Sequence, residues 1–219
     1  MPGGSLRPWR QERKSGTSWT LVWCHRSVPF NHDNIIGVRL AEDLVNLACS
    51  GGWTPSAVCR LLRGSFVRSV DLDALDDATL RSLRDWTHQL RSVFDSHSVA
   101  ARTEHLNVLL EEGVRAVRLA VHDGLPPHLH FAGTEDDLVQ RVKALTSGGL
   151  AIFAVEAEAG RMGVCARPGC GRVFVDTSKN GRRAYCSAKC GNTHAVHRYR
   201  ERQQGAGHSP GRSVSSPAR

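Results

Sequence analysis

Two short cysteine pairs near the C-terminus constrain this chain more than any other feature. They read Cys165-Ala-Arg-Pro-Gly-Cys170 and Cys186-Ser-Ala-Lys-Cys190, with fifteen residues between them. Each pair offers two thiolates from one tight piece of backbone, and two pairs on a linker of this length supply what a tetrahedral zinc ion needs. Pro168-Gly169 suits a turn between the first two ligands. The i, i+4 spacing of Cys186 and Cys190 places both sulfurs on one face where a helix begins. The bland alternatives are buried thiols or disulfides. An iron–sulfur cluster is a further one, though it lacks the usual close spacing of three ligands. The pattern favours Zn2+ held by Cys165, Cys170, Cys186 and Cys190.

The linker fits such a unit. Val173 and Val175 suit a strand, Asn180-Gly181 is a hairpin turn signal, and Ala184-Tyr185 begins a return strand. A knuckle, a hairpin and a helix carrying the second pair make a treble-clef-like zinc finger. A unit of about forty residues buries little apolar area, so metal binding, worth roughly 10–16 kcal/mol of apparent free energy, is expected to hold it folded.

Seven cysteines is an odd number, and Cys24, Cys49 and Cys59 are scattered through the first quarter. Cys49 and Cys59 fall on helical apolar faces and read as core residues. Cys24-His25 with His32 has no second pair. No run of eighteen apolar residues occurs, so no transmembrane span is expected. The apolar stretch Leu21-Val22-Trp23-Cys24 is too short for a signal peptide, which makes a cytoplasmic location the default.

Charge divides the chain. Residues 36–160 carry twelve Lys/Arg against seventeen Asp/Glu, whereas residues 161–204 carry ten against two. A mildly acidic middle followed by an intensely basic cysteine region suggests two modules with different partners. The expected organisation is a disordered tail over 1–33, a helical domain over 34–160, a finger over 161–204 and a second disordered tail over 205–219. The fold class is α+β: a mainly helical N-terminal domain with a small β-hairpin, plus the C-terminal finger.

Within the first domain, Ile36, Leu40, Leu44 and Leu47 recur at helical spacing up to Gly51-Gly52. Thr54-Pro55 offers an N-cap and a first-turn proline for a helix carrying Val58, Leu61 and Leu62. Asp76 and Asp77 precede Leu80, Leu83, Leu90 and Phe94, and a further helix covers Ala100 to Glu112 with Gly113 as its stop signal. Val117, Leu119 and Val121 alternate as a strand, and His128-Leu129-His130-Phe131 returns beside it. Thr134 with Asp137 resembles a capping box for the helix carrying Leu138, Val142 and Leu145. Gly148-Gly149 reads as an interruption before Leu150 to Glu158.

The residues around the second cysteine pair carry a resemblance. Cys186-Ser-Ala-Lys-Cys190-Gly191-Asn192, the upstream Cys-x4-Cys, Val175-Asp176-Thr177-Ser178 and Asn180-Gly181-Arg182-Arg183 resemble the CGNR-type zinc finger, dense over residues 163–202. In bacterial proteins that finger follows an α/β domain called ABATE, described as a stress-induced transcription regulator. The Leu44-Val45-Asn46 region and Pro127-His128-Leu129-His130-Phe131 look similar to that domain. The resemblance implies four zinc ligands, carried over onto Cys165, Cys170, Cys186 and Cys190, and a DNA-binding role. The family arginine of the Cys-Gly-Asn-Arg run is Thr193 here.

Arg182, Arg183, Lys189, Asn192, His197, Arg198, Arg200 and Arg202 are the candidate nucleic-acid contacts, since lysine and arginine that neutralise phosphates give salt-dependent affinity. The expected function is a zinc-dependent, DNA-binding transcription regulator, with a small-molecule or protein effector at the helical domain and no membrane partner. The alternative is an adaptor using the same finger to grip protein or RNA. His128 and His130 share one strand face and form a weaker candidate metal pair. Asp71, Asp73, Asp76 and Asp77 read as loop and helix-start charges. No phosphate loop or Ser/His/Asp order appears, so no enzymatic activity is expected.

Overall fold

A computed structural model describes residues 32–65, 75–121, 127–157, 160–178 and 180–206. The element order is α1 (His32–Cys49), α2 (Pro55–Gly64), α3 (Asp77–Asp95), α4 (Val99–Gly113), β1 (Arg118–Ala120), β2 (His128–His130), α5 (Leu138–Glu156), β3 (Met162–Val164), β4 (Val173–Val175) and α6 (Ala188–Ala206). Helices dominate, and the two sheets are antiparallel pairs, so the α+β expectation holds. The stretches read as tails fall outside the described residues, except that α1 already starts at His32 and α6 runs to Ala206. Cys24, His25, Asp71 and Asp73 also lie outside them.

Helix starts follow local chemistry. Thr54 caps α2 by accepting from the Ala57 amide at 3.2 Å. Asp76 caps α3 by accepting from Thr79 at 2.7 Å. The first turn of α5 departs from the expected Thr134 box. Asp137 is the cap and takes the Gln140 amide at 2.7 Å, while Asp136 accepts from Gly133. The helix begins at Leu138, so the side chain of Asp137 rather than that of Thr134 meets the free first-turn amide.

Helix α5 is the centre of the body. It packs on α1 and α4, and it runs unbroken through Gly148-Gly149. Those glycines are contact points rather than an interruption. A Cβ on Gly148 would stand 2.3 Å from the Phe131 ring, and one on Gly37 of α1 would stand 2.1 Å from the Leu145 carbonyl oxygen. Gly113 likewise ends α4 by close approach, with Lys143 and Ser147 of α5 where its side chain would be. Its carbonyl accepts from buried Gln140 at 2.7 Å. By length and composition α5 could cross a membrane, with mean hydropathy 1.2, although Arg141 and Lys143 interrupt its apolar run. Half of that window is buried in the helical core.

The core joins Val38, Leu40, Leu44 and Val45 of α1 to Leu83, Trp86, Leu90 and Phe94 of α3 and Leu150 and Phe153 of α5. Trp86 donates its indole N–H to Thr146 at 2.9 Å. The same core continues into β3 and β4 through Met162, Val173 and Val175. Three polar ties reinforce that junction. The Asn46 side chain donates to the Val173 carbonyl at 3.1 Å and accepts the Val173 amide at 2.9 Å, reproducing a strand pairing on the edge of β4. Buried Arg102 donates to the carbonyls of Val93, Ser96 and Met162. Arg91 donates to the Gly171 carbonyl at 2.7 Å.

Candidate metal centre

The first cysteine pair is carried by the turn of the β3–β4 hairpin. Met162 pairs with Val175 and Val164 with Val173, and the Cys165 amide donates to the Arg172 carbonyl at 2.8 Å. Gly169 and Gly171 take φ of 73° and 66°, a backbone region that residues with a side chain rarely adopt, which lets the knuckle fold back between its ligands. The expected hairpin between Val173–Val175 and Ala184–Tyr185 does not form. Strand β4 pairs with β3 instead, and the return segment contributes one bond, from the Ala166 amide to the Ala184 carbonyl. Gly181 does take a left-handed turn, so the Asn180-Gly181 signal is real but joins no strands.

Buried Asp176 holds the connecting loop. One carboxylate oxygen accepts from the Ser178 amide at 2.9 Å and the other from the Arg183 amide at 2.8 Å. Burial pushes this carboxyl up, but its bonds to Ser178 and Arg183 outweigh that and hold it below the usual range. The Arg183 guanidinium donates to the carbonyls of Val175, Tyr185 and Cys186 and lies over the Phe174 ring. Arg183, expected at a nucleic-acid surface, is thus a half-buried strut of the finger.

The second pair brackets the start of α6, where the Ser187 hydroxyl accepts from the Cys190 amide at 3.2 Å. The four sulfurs of Cys165, Cys170, Cys186 and Cys190 all lie within 4.8 Å of one another. Measured pairs are 3.7 Å (Cys170–Cys186), 3.7 Å (Cys170–Cys190) and 3.5 Å (Cys186–Cys190). Zn–S bonds of about 2.3 Å in a tetrahedron require edges of about 3.8 Å, whereas a disulfide requires about 2.05 Å. The cluster therefore has the dimensions of a four-thiolate zinc site and fits a zinc ion. Burial pushes the Cys186 thiol up to about 12. Burial also pushes Cys170 up, but the Arg172 amide, the Arg167 side chain and the neighbouring thiols bring it down to about 6.

The remaining candidates sort clearly. Cys59 is buried in α2 as expected, but Cys49 is exposed, with its sulfur 3.0 Å from Arg91. The His128 and His130 Nε2 atoms are 3.0 Å apart, and no third His, Cys, Asp or Glu completes a metal group with them among the described residues. Arg182, Lys189, Asn192, His197, Arg198, Arg200 and Arg202 are all exposed. Thr193 is exposed as well and donates its hydroxyl to the Lys189 carbonyl at 2.8 Å. Sequence reasoning quoted Asn46 and Asp176 only within the resemblance and missed what they hold, the edge of Val173 and the loop to Arg183.

No curated protein matches the chain. Its residues 161–203, the segment that carries all four sulfurs, match the family model described as the CGNR zinc finger.

Proposed function

We propose that this chain is a zinc-dependent DNA-binding protein, a transcription regulator whose helix α6 enters the major groove. The observation that carries the reading is the isolation of α6. From Ala195 to Gln203 every residue is exposed, although a polar helix of that length gains little from propensity alone. Such a helix makes sense when its partner lies outside the chain.

The distribution of charge supports a groove. At about 100° per residue, Cys190, Gly191 and His194 define the side facing the knuckle, where His194 meets the Tyr185 hydroxyl at 3.1 Å. The opposite side presents Asn192, Val196, Tyr199 and Gln203. Lys189 and Arg200 flank that strip on one edge and Arg202 on the other, while Arg198 falls in the sector of Gly191 and His194 further along the helix. A major groove about 12 Å wide has a phosphate ridge on each side, so two basic edges with a neutral strip between them match it. Arg182 adds an exposed cation at the helix start. The helical body, read as ABATE-like, takes an effector or partner, and the reading assigns the chain no enzymatic activity.

The test uses the full chain, because β3 and β4 share their core with the helices. Zinc-loaded protein is titrated into labelled duplex at several salt concentrations. Binding is expected to weaken with salt, and Arg198→Ala with Arg202→Ala should lower the logarithmic slope by about two. No salt-sensitive retention of duplex would sink the reading. The half-exposed Val196 and Tyr199 favour the adaptor as a second reading, and preferential binding of single-stranded RNA or protein in the same assay would select it.

A further inference from the structure

The β1–β2 hairpin faces the body the wrong way round for hydrophobicity. Leu119 and Leu129 pair in its register and are 70% and 42% exposed, whereas His128, on the opposite face, is 3% exposed. A slip of one residue would exchange the two faces. Apolar burial favours leucine inside and histidine outside, so a buried histidine here is the informative observation. His130 follows two residues on, on the same strand face, and is half-buried. The Nε2 atoms of the two rings lie 3.0 Å apart, with centroids 4.9 Å apart and planes at 47°. The rings therefore meet at their nitrogen edges rather than by stacking. Opposite His128 stands the small Ala120, and Arg118, opposite His130, is exposed. The strand is fixed at its end, where the Phe131 ring fills the space a side chain on Gly148 of α5 would take.

We propose that His128 and His130 form a second metal site, a bidentate pair for a tetragonal dication, copper(II) or nickel(II), which takes both Nε2 lone pairs in place of the hydrogen bond between the rings. The spacing selects the geometry. With metal–nitrogen bonds of about 2.0–2.1 Å, the 3.0 Å separation subtends about 95° at the metal, close to the cis angle of a square-planar or octahedral ion and short of the about 109° of a tetrahedron. Imidazole suits both ions, and copper(II) heads the divalent affinity order. Ligation through Nε2 leaves the proton of each ring on Nδ1, and the remaining positions take water or a ligand from solution. The four sulfurs of the finger offer soft thiolates at tetrahedral spacing, so donor type and geometry keep the two classes of metal apart.

The experiment titrates Ni2+, which does not oxidise thiols, into the zinc-loaded full chain by calorimetry. Nickel and zinc on the protein are then counted by elemental analysis after free metal is removed. One nickel per chain is expected, with the zinc content unchanged. His130→Gln should weaken nickel binding by at least the roughly 10–100-fold that loss of even an outer-shell partner costs. His97→Gln, an exposed histidine between α3 and α4, should leave it as in the wild type. A second readout needs no variant: bound Ni2+ should protect His130 of the wild type from acylation by diethyl pyrocarbonate, mapped by mass spectrometry. A wild-type chain that takes up no nickel overturns the proposal. So does nickel gained only as zinc is lost, binding unchanged in His130→Gln, or a His130 that nickel leaves unprotected.

Discussion

At the scale of single residues, the sulfur cluster sets a pH dependence whose sign can be worked out. Zinc binds thiolates, so binding must displace whatever protons the free cluster carries. Burial, with its thiol neighbours, holds the Cys186 proton up to about 12. Cys170 is already ionised above about 6, its amide and arginine partners outweighing its burial. Protons leave on binding, so affinity rises with pH, about tenfold per unit for each proton displaced. Competition titrations at pH 6, 7 and 8 should show this rise, and a flat profile would show that zinc displaces no protons from the thiols. The ligands themselves were legible because their signal is local, with two pairs each within six residues. Asn46 was not, because its partner Val173 lies 127 positions away and nothing near Asn46 announces it. Arg183 was misplaced for a related reason. Its charge is visible in the sequence, but the three carbonyls that engage it are assembled only by the folded loop.

At the scale of elements, capping decides where helices start, and Asp137 and Thr134 ahead of α5 give a clean contrast. Asp137 takes the Gln140 amide, whereas Thr134 is exposed and only its main-chain carbonyl is bonded, by Arg141. Removing an N-cap side chain costs about 1 kcal/mol. Asp137→Ala should therefore lower the stability measured by urea denaturation by about that much, and Thr134→Ala should leave it unchanged. Equal losses would mean that the box centred on Thr134 is the true cap. Thr54 and Asp76 were legible because a cap is satisfied within three residues. Gly148-Gly149 was misread because local propensity marks glycine as a breaker, while the reason for glycine here is the ring of Phe131 at Gly148 and the approach of α1 at Gly149. The hairpin was misassigned in the same way. Asn180-Gly181 is a strong turn signal, but the knuckle's own closure gives β4 to β3, leaving no strand for the turn to serve.

At the scale of the whole molecule, the division into helical body and finger that charge suggests is not where the core divides. Met162, Val173 and Val175 belong to the same buried cluster as Leu44 and Leu90, and Asn46 and Arg102 fasten the hairpin by polar bonds that need no metal. Beyond β4 the situation reverses. The loop from Asp176 to Tyr185 carries few apolar residues, and α6 reaches the body chiefly through the sulfurs of Cys186 and Cys190 and the Tyr185–His194 contact. A helix of this length without its anchor is marginal in water. Zinc should therefore govern one end of the molecule only. Stripping the metal with a strong chelator is expected to melt α6, which holds about a fifth of the helical residues, while the body keeps a single cooperative thermal transition. Far-UV circular dichroism reads the lost fraction, and near-UV signal from buried Trp86 reports the intact core. Re-addition of zinc should restore the helical signal. Loss of the whole signal on chelation would mean that the metal holds the body as well, and no loss at all would mean that α6 stands without it. The intermediate result makes the metal a hinge pin: it fixes the direction in which a basic helix leaves a body that is already folded, so that contacts along α1 and α3 and the placement of α6 share one rigid frame only while the four sulfurs are bound.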